Sequence, residues 1–463
     1  MAENKKMGHV AVFAFPFGSH PLPLFNLVLK LSHSAPNLSF SFISTQESNK
    51  ALISKSKSPH NNNIMFYNIS NGISEDHVLA SDHPLEKLNL FLQAAPHNLQ
   101  NGIDMAVQQT NLRVTCIIAD AFVLPSFHVA QNLAVPWFPF WPPFSCSLSA
   151  FINIDIIRQH YHSSSNDDPG RPLDFLPGLN MMRLEDLPED LINDGENQTL
   201  FSKTLASLGR VLPHAEAVIM NHFEELDPPM FVSDMRTKLK SMLYVGFLTL
   251  NNKVPLPPSE TDVTGCLSWL DKQGSRSVAY VSFGMVVTPP EHEIVAVAEA
   301  LEESGFPFLW SLKEHAKKLL PEGFAERTES KGKVVPWCPQ KEVLGHDSVG
   351  VFVTHCGSNS VLESISNGVP MVYRPYFGDH GMAGRMVEVV WKIGVGVVED
   401  GVLSKDRLVN GLNAVMVGEE GKKMRENAQI LKKTVMDAAS PQGKAARDFT
   451  ALVELLLSTS NLG

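Results

Sequence analysis

Runs of buried-strand type alternate with helix-periodic runs along this chain, and they do so in two successive series. That alternation constrains the fold more than any other feature, because strands separated by helices pair in parallel through right-handed crossovers and are covered on both faces. In the first series the patterning predicts strands over 9–15, 38–43, 65–69, 114–119, 135–141, 215–220 and 244–248. Helices are expected over 22–31, 85–95, 99–109 and 127–133. The second series places strands at 277–283, 308–312, 349–354 and 370–373, and helices at 290–303, 405–416, 422–438 and 443–457. Between the series, residues 251–262 (N-N-K-V-P-L-P-P-S-E-T-D) break the pattern with prolines and polar groups and read as an interdomain linker. The polar, turn-rich stretch 163–172 reads as an exposed loop. A chain of 463 residues exceeds one usual core. The expected fold class is therefore α/β, with two doubly wound sheets facing each other across a cleft.

Composition excludes several functions. The net charge is −11, so neither nucleic acid nor an anionic membrane surface would be held by bulk attraction. The first residues lack the apolar core of a signal peptide and no run reaches the length of a membrane span, so a cytoplasmic protein is expected. The five cysteines are odd in number and form no C-x-x-C pair, which fits buried reduced thiols rather than disulfides or a metal site.

The stretch 337–380 carries most of the chemistry. Its strand pattern 349–354 runs through His355-Cys356-Gly357 into Ser358, Asn359, Ser360 and a helical pattern. A helix that opens on a small-residue turn presents free N–H groups and its positive dipole end, which suits a phosphate. Asn359 and Ser360 add side-chain donors, and His355 adds a positive or donating imidazole beside the same anion. Trp337 offers a flat face to a base, Glu363 an acceptor for ribose hydroxyls, and Asp379 and His380 follow another strand. A phosphorylated, sugar-bearing ligand is the expectation.

In an open parallel sheet, ligands sit beyond the carboxyl ends of the strands. In the first series His20 lies in the turn after the first strand and Asp120 ends the strand 114–119. An imidazole can take a proton from a hydroxyl while a carboxylate on its other nitrogen fixes the tautomer. Phe17, Phe122, Phe144 and Phe151 lie near such turns and are candidates for an apolar acceptor pocket.

The 44-residue stretch 337–380 resembles the donor-binding box of the plant UDP-sugar-dependent glycosyltransferases of secondary metabolism. The segments 9–20, 116–122, 176–179, 183–188 and 221–229 are further similar to flavonoid and anthocyanidin 3-O-glycosyltransferases, so the resemblance covers nearly the whole chain. It implies the GT-B fold, with an acceptor domain at 1–250, the linker at 251–262, a donor domain at 263–442, and a terminal helix at 443–463 that crosses back to the first domain. It implies inverting, metal-independent transfer from UDP-galactose or UDP-glucose to a small flavonoid, with His20 as general base and Asp120 as its partner. Ser282, Trp337, Cys338, Gln340, His355, Ser358, Asn359, Ser360, Glu363, Asp379 and His380 are then donor-site residues, and Gly18 and Gly378 flank the acceptor. No cofactor, nucleic acid or membrane insertion is implied, and a monomer is expected.

Three positions depart from that pattern. Ser358 stands where the family usually has Trp, and Met285, which cannot donate a hydrogen bond, stands where a Ser or Thr is usual. The box ends in His380 where glucosyltransferases carry Gln; a terminal His is associated with galactose, so galactose is favoured and glucose is the alternative. A dinucleotide-dependent oxidoreductase would also use two such domains, but neither first strand–helix turn carries G-x-G-x-x-G. Residues 418–423 (G-E-E-G-K-K) have the wrong spacing for a P-loop. A non-catalytic flavonoid or nucleotide binder is the third class.

Overall fold

Strand runs that are apolar on both faces can exist only in a sheet covered on both sides, and the first half of the chain is full of them. In the computed structural model, which describes residues 8–55, 63–74, 76–78, 84–162, 170–192, 195, 198–250, 262–399 and 401–460, they form one seven-stranded parallel sheet. Its strands are β1 (Gly8–Phe13), β2 (Leu38–Thr45), β3 (Ile64–Ile69), β4 (Cys116–Asp120), β5 (Trp137–Trp141), β6 (Val218–Met220) and β7 (Met242–Tyr244), in the order β3-β2-β1-β4-β5-β6-β7. A second parallel sheet contains β8 (Val278–Ser282), β9 (Phe308–Ser311), β10 (Gly332–Val335), β11 (Val349–Thr354), β12 (Met371–Tyr373) and β13 (Gly394–Gly396), in the order β10-β9-β8-β11-β12-β13.

Each sheet reverses its strand order once. The reversal falls between β1 and β4, where Phe13 pairs with Ala119, and between β8 and β11, where Ser282 pairs with Thr354. Loops diverge at such points and leave a crevice. His20 and Asp120 therefore belong to the crevice of the first sheet, and Gly284 and His355 to that of the second.

The alternation along β1 sorts its side chains between two cores. Val10, Val12 and Ala14 enter one cluster, and Ala11, Phe13 and Phe15 the other. The second of these clusters continues into the other sheet, where it includes Tyr280, Phe352 and Trp391, so the lobes share apolar contact. Polar ties cross as well: Arg385 Nε to Asp186 Oδ2 at 2.9 Å, Trp391 Nε1 to the Leu226 carbonyl at 2.9 Å and Lys341 Nζ to the Leu250 carbonyl at 2.8 Å. The last helix, Lys444–Thr459, lies on β1 and β7, and Asp448 accepts the Tyr244 N–H at 2.9 Å.

Four expectations change. The strand expected at 244–248 lies at Met242–Tyr244, because Gly246 at φ +81° turns the chain out of the extended run. The two helices expected at 85–95 and 99–109 are one, Pro84–Thr110, through Pro96. Pro96 faces solvent, whereas Phe91, Leu92, Ala95, Leu99, Ile103 and Ala106 form one buried stripe, and its packing outweighs the lost backbone bond. The helix Ser145–Ile152 was not expected, since a run of Ser and apolar residues buried all round shows no amphipathic period. Short β10 and β13 also carry no strand signal of their own. The segment 251–262, except Asp262, and residues 163–169 of the expected loop lie outside the described residues. All five cysteines are buried and unpaired.

Candidate active site

β1 ends in Ala14-Phe15-Pro16-Phe17-Gly18-Ser19-His20. Gly18, at φ +59°, lets the chain turn, and His20 takes helical angles immediately before the helix Pro21–Ser34. That places its Nδ1 2.9 Å from Asp120 Oδ2 at the end of β4. The Asp120 side chain is fully buried and its other oxygen accepts the Phe122 N–H at 3.0 Å. A carboxylate held this way can only accept, so it draws the proton to Nδ1 and leaves the Nε2 lone pair bare. The ring is partly exposed, with Phe15 and Phe122 edge-on at 5.1 Å each.

The opposite wall begins where β11 runs into His355-Cys356-Gly357. Cys356 adopts φ +63°, a left-handed conformation that costs a non-glycine residue about 1–2 kcal/mol and lets the strand turn into the helix Ser358–Asn367. Gly357 caps that helix without a side chain, so its first N–H groups have no side-chain cap; Ser358 and Asn359 are half-buried on the first turn and Ser360 is buried. Below the turn, the His355 ring is closely confined. A Cβ on Gly284 would stand 2.8 Å from its Cε1, and one on Gly357 2.5 Å from its Nε2. Burial lowers the His355 pKa to about 4, against a backbone hydrogen bond at Ser282. Burial thus disfavours the charged ring, which of the two roles expected for His355 favours donation. Its Nδ1 is buried with no hydrogen-bond partner among the described residues.

Behind the helix, Gln340 Nε2 donates to Ser360 Oγ at 3.0 Å and Glu363 Oε2 at 2.8 Å, and its Oε1 accepts the Tyr280 hydroxyl at 3.0 Å. Its amide is thus engaged within the protein and braces Glu363. Cys338 Sγ lies 3.3 Å from the same hydroxyl, its thiol pushed up to about 12 by burial. Trp337 is 53% exposed, leaving its indole face open.

Burial also pushes Glu363 up to about 7, although the Gln340 donor and Lys341 oppose the rise. As pH rises from the ordinary carboxylate range towards 7, the unfolded chain ionises first, so native stability falls and then levels off above 7. Glu363→Gln removes this titration. Relative to the parent, it is expected to gain stability on the order of 2–3 kcal/mol between about pH 5 and about pH 8. Thermal unfolding at both pH values checks this; an equal difference at the two would contradict it.

The loop after β12 supplies Asp379 and His380. Asp379 Oδ2 accepts the Phe144 N–H from the other lobe at 3.2 Å. Burial raises its pKa, opposed by that N–H. His380 is buried, edge-on to His355 with ring centroids 4.9 Å apart. Its Nδ1 accepts the N–H groups of Tyr376 at 3.4 Å and Phe377 at 3.5 Å, which assigns the proton to Nε2. Burial, and then His355, drive its pKa well below the usual histidine value.

The expected acceptor residues fall into two layers. Phe122 lies against the His20 ring, as does Phe15, and Phe17 packs on Phe15 at 5.1 Å. Phe151 is buried behind Phe122, and the Phe144 ring is enclosed between His222 and Trp391. Gly18 and Gly378 are exposed at positive φ, and a Cβ on Gly18 would stand 3.6 Å from Val286, so the loops of the two lobes almost meet. Val286 and Phe377 are exposed and were missed. Their one signal is an apolar side chain in a loop after a strand. Met285 is 65% exposed and adds no donor. Among the described residues, no group of three or more His, Cys, Asp or Glu could hold a metal ion, and no helix is long and apolar enough to cross a membrane.

Residues 46–438 match the family model described as UDP-glucoronosyl and UDP-glucosyl transferase. A flavonol 3-O-glucosyltransferase of Actinidia chinensis var. chinensis is 42% identical over 457 residues, 98% of both chains. An anthocyanidin 3-O-galactosyltransferase of the same plant is 43% identical over 450 residues, 97% of both. The crystal structure of a UDP-glucose: anthocyanidin 3-O-glucosyltransferase in complex with UDP superposes with a TM-score of 0.93 at 57% identity, covering 98% of this chain and all of that one. The two facing parallel sheets are those of the GT-B fold, as the sequence reading expected. Both glucosyl- and galactosyltransferases are among the proteins this chain resembles, and the one at 57% identity is a glucosyltransferase, so similarity does not single out galactose.

Proposed function

This chain belongs to the family of UDP-glucoronosyl and UDP-glucosyl transferases, a family of enzymes, and from that membership we propose that it transfers a hexose, galactose rather than glucose, from its UDP-sugar to the 3-hydroxyl of a flavonol or anthocyanidin. The observation that carries the reading is the pairing of His20 with Asp120 at one strand reversal, opposite the open helix N-terminus at the other. His20 Nε2 takes the proton of the acceptor hydroxyl as the oxygen attacks the anomeric carbon, and Asp120 stabilises the imidazolium. The bond from that carbon to the β-phosphate oxygen breaks, UDP leaves with the electron pair, and the configuration inverts. The negative charge meets the first N–H groups of helix Ser358–Asn367 together with Ser282, His355, Ser358, Asn359 and Ser360. Trp337 stacks on the uracil, Cys338 offers it backbone groups, Glu363 takes the ribose hydroxyls, and Asp379 and His380 face the hexose. Gln340 acts through Glu363.

The acceptor half is residues 1–250 and the donor half 263–442, joined by 251–262, with 443–463 returning to the first lobe. No metal has a role in this scheme, and the protein is read as a cytoplasmic monomer. His380 supports galactose because its Nε2 can only donate, whereas a glutamine would both donate and accept. A flavonol with UDP-galactose or UDP-glucose should give UDP release and an O-glycoside, faster with galactose. In His380→Gln the ratio of kcat/KM for galactose over glucose should fall by about tenfold. Binding of both ligands without UDP release would favour the non-catalytic reading. A parent that prefers glucose, with a variant that behaves the same, would end the galactose assignment.

A further inference from the structure

The segment that delivers Asp379 and His380 leaves β12 as Arg374-Pro375-Tyr376-Phe377-Gly378, and its outer residues Phe377 and Gly378 are exposed. What anchors it is a buried charge on another element. Glu293, in the helix Glu291–Ser304, is 1% exposed. Its Oε1 accepts from Arg374 Nη2 at 2.7 Å, Arg374 Nε at 3.1 Å and the Leu403 N–H at 3.2 Å, and its Oε2 accepts the Tyr376 hydroxyl at 2.7 Å. Burial alone would push this carboxyl up, but the bonds from Arg374, Tyr376 and Leu403 outweigh it and hold it below the usual carboxylate range. Arg374 is satisfied too: it donates to the Gly401 carbonyl at 2.9 Å and to the Pro375 carbonyl, and its guanidinium lies 4.3 Å over the Tyr376 ring. That ring also meets Phe283, edge-on at 5.7 Å. A buried ion pair with its remaining donors and acceptors filled tolerates desolvation and admits little displacement of the groups it joins.

The restraint reaches His380 through the backbone, because the Tyr376 N–H is one of the two donors to its Nδ1. We propose that Glu293, through Arg374 and Tyr376, is a positioning residue for hexose recognition, fixing residues 374–380 so that Asp379 and His380 meet the sugar of the bound UDP-sugar. The inference rests on the glycosyltransferase reading above. It separates the hexose from the rest of the donor, whose uracil, ribose and phosphates are assigned to Trp337, Glu363 and the helix Ser358–Asn367.

Glu293→Gln keeps the shape and removes the charge. The expected result is a fall of about tenfold to a hundredfold in kcat/KM for the preferred UDP-sugar, a ratio between the two sugars that moves towards one, and an affinity for UDP itself within about threefold of the parent. Tyr376→Phe deletes only one hydroxyl and should shift the same sugar ratio by a smaller factor; it decides the matter if the first variant does not fold. UDP-sugar kinetics, UDP titration and thermal unfolding are measured together. An unchanged sugar ratio, or losses shared equally by both sugars and by UDP with a lowered Tm, would show the cluster to be merely structural and overturn the inference. Absence of transfer in the parent would instead overturn the glycosyltransferase reading.

Discussion

Replacing His20 by alanine is expected to lower kcat by a factor of about 10²–10⁴ while UDP affinity stays within about twofold. The size follows from the loss of proton transfer at the moment the acceptor oxygen attacks. A flavonoid hydroxyl is a poor nucleophile until its proton leaves, and in the proposed mechanism it is Nε2 of His20, whose Nδ1 is held by Asp120, that receives it. UDP affinity should be spared because the groups assigned to UDP belong to the second sheet and its loops. Loss of Nε2 leaves the Asp120 bond to the Phe122 N–H in place, so the turn after β4 should keep its shape. Initial rates of UDP release and a UDP titration on the same preparation check the two halves of the expectation. A variant that keeps more than about a tenth of parental kcat would remove His20 from the role of base.

The second large effect is expected at Gly357, where alanine should weaken UDP binding by about tenfold to a hundredfold. Gly357 has an ordinary φ of −61°, so the backbone conformation does not demand glycine; the space does. The new methyl carbon would stand 2.5 Å from His355 Nε2 and 3.2 Å from its Cδ2 and Cε1. The ring cannot easily retreat. On the side of β8, Gly284 already approaches it so closely that a Cβ there would lie 2.8 Å from Cε1, and the His380 ring closes another side. The strain passes instead into the turn, displacing the helix N–H groups on which the diphosphate depends. The effect on UDP affinity should exceed the effect on Tm, because the turn lies at the cleft rather than in the core. Parental UDP affinity in Gly357→Ala would mean that the phosphates do not rest on this helix terminus.

Most of the fold could be read from local patterns. The strand 349–354 was found to the residue, because β11 is apolar on both faces and bounded by a polar turn. Two of the failures share a cause. Pro96 looks like a helix end until a buried stripe on the opposite face holds the helix through it, and Ser145–Ile152 has no period because it has no exposed face. Such outcomes depend on what packs against a segment.

The site divides the same way. The order of residues alone determined the strand–turn–helix that can hold a phosphate, the identity of His20, Asp120, Asp379 and His380 as candidates, and the expectation of a phosphorylated, sugar-bearing ligand, which the family resemblance narrowed to a UDP-sugar. Only the tertiary structure decided that His20 meets Asp120 across 100 residues, that Gln340 is engaged by Ser360 and Glu363, that a Phe144 N–H reaches Asp379 from the other lobe, and that burial lowers the His355 pKa. The reason is physical: turn chemistry and periodicity are properties of neighbours along the chain, whereas burial, and every charge state and hydrogen bond that burial controls, is created when distant segments close around a group and exclude water.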